Sequence, residues 1–298
     1  MKKYVMIGLC LINSLNCMEQ PLLEHKPQRE PREWDAYAYD EGNTIQTEAF
    51  LQFLATNKIN TNDLRILDIG CGTGKIAARL SLKAKHIHGF DASKNMIEQA
   101  QKNFGHIENL SFEHCFAEDF TSHKLHKLAI ASFCIHWFEN QKQAFQRIHN
   151  SLEHNGNFFA TVQTSNNPTP PELIAAQELI EGMSINKAYK WITDKNLIDL
   201  TECTLPSTEE LKNMLTSVGF TISKCEQQSF FLPMTKDEII KTERPIVFSR
   251  PMMKYIPDIF IEPLFNDYID IYLSKLQKVG DDKYLEQIIT TIIYACKK

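Results

Sequence analysis

From residue 65 onward, short apolar runs alternate with segments whose apolar residues recur at helical spacing. Arg65–Ile69 (RILDI) reads as a strand and Lys75–Leu82 as a helix. His86–Phe90 reads as a second strand and Ser93–Asn103 as a second helix. Leu110–His114 and Leu128–Cys134 are further strands, Gln141–Leu152 is a helix and Phe158–Gln163 a fifth strand. A crossover between parallel strands needs a dozen or more residues, usually a helix, so this alternation implies βαβ units around a parallel sheet.

The pattern changes at both ends. Residues 19–33 are polar with three prolines and read as an irregular lead-in. Glu33–Leu54 carries Trp34, Tyr37, Tyr39, Ile45, Phe50, Leu51 and Leu54 at roughly helical spacing. Residues 165–205 open with prolines, continue helically through Tyr189 and Trp191, and read as a cap insertion. Ser207-Thr-Glu-Glu210 is a capping box for a helix over Glu209–Ser217, which Gly219 ends. Phe220–Leu232 reads as a long strand and Thr235–Gly280 as a second helical insertion, rich in Phe, Met and Tyr. Ile288–Cys296, a β-branched run, suits a final strand. No internal repeat is visible.

Composition narrows the functional classes. The chain is 43% hydrophobic and 23% charged, an ordinary globular balance, with a formal net charge of -5. That balance gives no basic footprint for nucleic acid, so small molecules or proteins are the expected partners. The eight cysteines contain no CxxC pair, which argues against a zinc ribbon or a dithiol redox site and suits reduced buried thiols. Lys2 and Lys3 precede an apolar run from Val5 to Leu15, a signal-like leader over residues 1–17. The run is too short for a comfortable membrane span, its cleavage context at Asn16 and Cys17 is poor, and Met18 offers an alternative start.

The chemistry concentrates at Leu67-Asp-Ile-Gly70-Cys-Gly72-Thr-Gly74, which follows a strand and opens a helix, as a nucleotide-binding turn must. Glycines there let backbone approach a ligand and adopt positive φ. The spacing is GxGxG, not the GxGxxG of pyrophosphate binders, so it suits a nucleoside without a phosphate. Asp91 closes the second strand, where a carboxylate can accept hydrogen bonds from vicinal ribose hydroxyls; the other reading is a plain turn residue. Asp68 is either a ligand contact or a solvated turn residue. Ser93 can cap the next helix.

Leu67–Gly74 and Gly89–Ile97 resemble the class I S-adenosylmethionine (SAM) dependent methyltransferase family, and the likeness runs through most of the chain from Trp34. Within that family Trp34-Asp-Ala-Tyr-Ala-Tyr39 resembles the N-terminal helix of trans-aconitate methyltransferases. Tyr39 with Asn43-Thr-Ile-Gln46 resembles the Tyr and Asn-x-x-Gln of juvenile hormone acid methyltransferases. Ser132-Phe-Cys-Ile-His-Trp137 is similar to the end of strand four in both, and a malonyl-thioester methyltransferase carries a similar Trp. The resemblance implies an α/β Rossmann-like fold with a seven-stranded, mostly parallel sheet. It implies one methyltransferase domain over residues 34–298, with cap insertions near 165–205 and 235–280. It also implies SAM as cofactor, held by Tyr39, Asp68, Gly70, Cys71, Gly72, Gly74, Asp91, Ala92, Met96, Ala117, Glu118 and Ser132, and no metal. One departure stands where the family has Asp plus a small residue after strand three. Here the pair is Phe116-Ala117, so the adenine amine passes to Glu118 or the ring packs on Phe116.

The enzymes so resembled make methyl esters, which implies a small organic acid as acceptor, bordered by Gln46, His136 and Trp137. A carboxylate is ionised at neutral pH, so no catalytic base is required. Gln46 and Trp137 offer neutral N–H donors; Gln46 could equally sit on a solvated face and Trp137 in the core. His136 reads as a packing residue or, for a phenol, quinone or amine acceptor, as the base. A non-catalytic SAM-binding protein is the reading from another class. Phe248, Met252, Met253, Tyr255, Phe260 and Phe265 suit either an apolar acceptor chamber or ordinary helix packing. SAM is a cytosolic metabolite, so the cytoplasm is the expected compartment, with export the alternative.

Overall fold

A computed structural model describes residues 35–42, 44–169, 171–185, 205–248 and 258–298. In chain order these form α1 (Ala36–Gly42), α2 (Thr44–Thr56), β1 (Arg65–Ile69), α3 (Lys75–Ser81), β2 (His86–Asp91), α4 (Lys94–Phe104), β3 (Leu110–His114), β4 (His126–Ser132), a 3-10 turn (Ile135–Trp137), α5 (Gln141–Asn150), β5 (Leu152–Val162), α6 (Pro171–Ile185), α7 (Thr208–Ser217), β6 (Phe220–Thr235), α8 (Lys236–Phe248), α9 (Asp258–Lys275), β7 (Gln277–Lys278) and β8 (Lys283–Lys297).

The strands join in one sheet of order β3-β2-β1-β4-β5-β8-β6, with two-residue β7 paired to β8 beside that path. The pairs β3/β2, β2/β1, β1/β4 and β4/β5 are parallel, whereas β8 runs antiparallel to β5 and β6. The order reverses between β1 and β4, and a crevice at the carboxyl ends of the strands opens at such a switch point. Strands covered on both faces are apolar almost continuously: Ile66, Leu67 and Ile69 have no exposed surface, and only Asp68 breaks the run. One buried cluster packs α5 and α7 on the sheet, and another packs α2 and α3 on it. Each fully buried large side chain, such as Phe50 or Phe158, contributes roughly 1.5–3 kcal/mol by leaving water.

Several boundaries differ from the sequence pattern for local reasons. Glu33–Leu54 resolves into α1 and α2; Trp34 and Asn43 lie outside the described residues. β4 ends at Ser132 because Phe133 takes a positive φ of 51°. β6 and β8 extend into a long ribbon, paired from Phe220↔Lys297 to Thr235↔Lys283. The second insertion is the helices α8 and α9, whose apolar faces gather Ile239, Phe265, Tyr268, Ile269, Tyr272 and Leu273 with Ile45 of α2. Phe265 therefore sits in the packed interior of the cap, while Met252, Met253 and Tyr255 lie outside the described residues. Ser93 caps α4 by accepting from Met96 N–H, and the Ser207/Glu210 capping box opens α7 as its sequence requires. Among the described residues, no helix is long and apolar enough to cross a membrane.

Candidate active site

The chain leaves β1 through three glycines with φ of 62°, 53° and 82° at Gly70, Gly72 and Gly74. Their surroundings differ. A Cβ on Gly70 would lie 2.6 Å from Cys134 Cβ, so β4's exit packs directly on the turn. A Cβ on Gly74 would strike the Phe112 ring at 2.8 Å. The side of Gly72 is open, its nearest neighbour being Tyr39 Cε1 at 4.0 Å. Two of the glycines thus serve the protein's own packing, and the middle one exposes backbone that a ligand can reach.

Two carboxyl groups flank this turn. Asp91, at the end of β2, accepts the N–H of Gly72 on Oδ2 and that of Ser93 on Oδ1, each at 2.9 Å. Burial raises its carboxyl above the ordinary value, and these backbone N–H groups offset part of that rise. Each oxygen keeps lone-pair capacity for a hydroxyl donor. Asp68 is only 1% exposed, and its Oδ2 has no partner. Burial first, and the Asp91 charge second, push its carboxyl up to about 8. Asp68 is therefore no solvated turn residue but a buried acid. The Cys71 and Cys134 thiols are raised by burial and by the same two carboxylates, so both stay neutral. Cys134 donates to the Ile69 carbonyl at 3.2 Å.

α1 brings Tyr39 over the turn. Its hydroxyl donates to Gln46 Oε1 at 3.0 Å. Burial and the Asp91 charge raise the Tyr39 hydroxyl above its ordinary value. Ala92 accepts from His114 Nε2 at 2.9 Å, and Met96 is buried beneath. Ala117 is buried at the end of the β3 segment. Glu118 is also buried, but its Oε1 accepts Asn140 N–H at 3.1 Å, while its carbonyl binds Gln143 and Arg147, so its carboxylate is turned to the start of α5.

Ser132 closes β4, and the 3-10 turn that follows divides its neighbours. His136 is buried, whereas Trp137 is 41% exposed, the rings 5.0 Å apart and tilted by 50°. Burial lowers the His136 imidazole to about 4, so it is neutral at pH 7, and its Nδ1 has no partner.

The sequence pattern did not single out Asp40. Its Oδ1 accepts Thr73 Oγ1 at 2.7 Å and pairs with Lys75 Nζ at 3.3 Å; its Oδ2 accepts Asn103 Nδ2 at 3.0 Å. Lys75 Nζ also donates to the Asp40 carbonyl. Lys75 directly after the last glycine was a visible signal, but its partner stands 35 residues upstream.

Residues 66–156, the stretch that carries the glycine turn and Asp91, match a family model described as a methyltransferase domain. The chain is 24% identical over 251 residues to juvenile hormone acid O-methyltransferase of Drosophila melanogaster, covering 78% of this chain and 80% of that protein. It is 29% identical over 197 residues to ubiquinone biosynthesis O-methyltransferase of Rickettsia prowazekii (strain Madrid E), covering 64% and 71%. The family model and these relatives support a class I SAM-dependent methyltransferase. Its fold is that of phosphoethanolamine N-methyltransferase 2 of Haemonchus contortus, solved with SAM, at a TM-score of 0.50 and 18% identity, covering 88% of this chain and 56% of that one.

The methyltransferase site has the groups such a cofactor needs. Asp91 can accept ribose hydroxyls, and the unpartnered Oδ2 of Asp68 suits an ammonium. The open side of Gly72 admits the ligand's body against backbone, and Tyr39 covers it.

Proposed function

We propose that this methyltransferase esterifies a carboxylate oxygen of a small organic acid. Bound SAM supplies a methyl group already activated by its sulfonium charge, so an ionised acceptor needs no base. Asp91 holds the ribose, Asp68 the ammonium, and Tyr39 closes over Gly72 to keep water out. The Gln46 amide, the His136 imidazole and the Trp137 indole would border the acceptor as neutral donors. Neutral donors orient a carboxylate without quenching its nucleophilicity, and alignment with water excluded can supply most of the rate. The observation that carries this reading is the exposed Trp137 in the 3-10 turn that leaves β4, which offers an indole N–H at the carboxyl end of the sheet. The name of the Drosophila relative supports it. The enzyme would work in the cytoplasm, where SAM is made.

A second reading has its own support. The Rickettsia relatives are named for ubiquinone biosynthesis, and a neutral imidazole with an unpartnered nitrogen can take a phenol's proton. One experiment separates the two: SAM turnover across a library of dicarboxylic, tricarboxylic and fatty acids and of catechols, at saturating SAM. We expect base-labile methyl esters from an acid. Trp137→Phe keeps the packing on His136 and deletes the indole donor, so it should lower turnover by about tenfold, the effect of ~1.4 kcal/mol, with SAM affinity nearly unchanged. Catechol methylation abolished by His136→Phe, with no acid accepted and Trp137→Phe silent, would replace the carboxylate by the phenol.

A further inference from the structure

We propose that Asp40 is a positioning residue, a latch that fastens α1 over the glycine turn and thereby sets how long the cofactor stays bound. The inference concerns the cofactor side of the site and holds whatever the acceptor is. α1 spans seven residues, far too few for a helix to persist in water alone, so its place depends on what grips it. Part of that grip is packing, on α8 of the cap and on α4 and α2. The other part is Asp40. Its three side-chain partners belong to three parts of the cofactor floor: Thr73 lies between Gly72 and Gly74, Lys75 is the first residue of α3, and Asn103 is in the last turn of α4.

Both carboxylate oxygens of Asp40 are thus engaged, and the Asp40 and Lys75 side chains are only 19% and 26% exposed. A pair so covered is screened less than a surface ion pair, and hydrogen bonds to a charged group are stronger than neutral ones. The consequence for the ligand follows from the neighbouring residue. Tyr39 is the nearest atom group to the open side of Gly72, and its hydroxyl is tied to Gln46 at the start of α2. With Asp40 fastened, Tyr39 stands over the open side of Gly72. With the Asp40 carboxylate removed, α1 retains its packing, the Tyr39–Gln46 bond and the Lys75 Nζ bond to the Asp40 carbonyl, but loses the carboxylate's bonds to Thr73, Lys75 and Asn103.

The test is the rate at which S-adenosylhomocysteine leaves the full-length enzyme, measured by stopped-flow displacement beside the ligand-free melting temperature. Asp40→Ala should speed dissociation by about tenfold or more, with little change in the association rate and a ligand-free melting temperature near the native one. Thr73→Val and Asn103→Leu should each speed it by a smaller factor, and neither should add to Asp40→Ala, because the bond each removes is already gone. If Asp40→Ala does not fold, the combined Thr73→Val and Asn103→Leu variant loosens the latch from the floor side, with only Lys75 still paired to Asp40, and should speed dissociation more than either single change. Native dissociation rates in these variants would overturn the proposal. So would faster dissociation that merely tracks a fall in ligand-free melting temperature, the mark of a residue that serves the fold alone.

Discussion

Replacing Asp68 by Asn should strengthen the ligand-free protein and weaken its hold on SAM. The native carboxyl sits at about 8 instead of its ordinary 3.8, chiefly through burial. A raised carboxyl means that the folded chain keeps a proton the unfolded chain gives up. Ligand-free stability therefore falls as pH rises from about 4 to about 8, by at most ~1.4 kcal/mol per pH unit, and levels off above. An ammonium against Oδ2 needs the ionised form. At pH 7 about nine in ten ligand-free copies are protonated, so binding must expel close to one proton. Affinity for S-adenosylhomocysteine should then rise about ninefold from pH 6 to 7 and about fivefold from pH 7 to 8, flattening beyond. Asp68→Asn keeps the shape and removes the charge. It should raise the ligand-free melting temperature at pH 8, lower affinity by roughly 1.5–3 kcal/mol, and abolish the pH slope. Calorimetric titration in two buffers of different ionisation enthalpy counts the protons; the ligand's own amine titrates alike with both proteins and cancels in the comparison. An affinity that is flat from pH 6 to 8, or a slope that persists unchanged in Asp68→Asn, would refute the reasoning.

Two further outcomes follow from the packing. Gly70→Ala places a Cβ 2.6 Å from Cys134 Cβ at a φ of 62°, whereas Gly72→Ala meets nothing nearer than 4.0 Å; the first should cost roughly 2–4 kcal/mol of stability and the second about 1, with its main effect on SAM affinity, and equal melting temperatures would contradict this. His126 is 1% exposed, and burial, with smaller contributions from His88, Arg65 and His86, lowers its imidazole to about 4 against the opposing Ser151 carbonyl. Its depressed value makes stability complete above about pH 6.5 and lost as pH falls toward 4, so His126→Gln should flatten that part of the melting-temperature profile; parallel profiles would remove His126 as the cause.

The parts of this molecule legible in its sequence are those fixed by neighbours along the chain. The glycine turn, Asp91 at a strand end and the Ser207/Glu210 box each depend on a few consecutive residues, and their side chains and φ angles obey local rules. The parallel sheet was legible for the same reason, because strand and helix periods alternate. What depends on distant partners was hidden. Glu118 stands where the family resemblance implies an adenine contact, and its Oε1 accepts Asn140 N–H at the start of α5, 22 residues away, which local sequence does not reveal. His136 and Trp137 are adjacent, and strand alternation would only put them on opposite faces; which one turns inward depends on the positive φ at Phe133 and the 3-10 turn after it. Asp40 is the extreme case, an acid on a short helix with partners 33, 35 and 63 residues downstream. The Glu118 and Asp40 cases share a cause. A buried charge or donor must be matched, and the fold matches it wherever a partner lies in space, so a residue whose partner cannot be found locally is where sequence reading stops and where the site's specific chemistry begins.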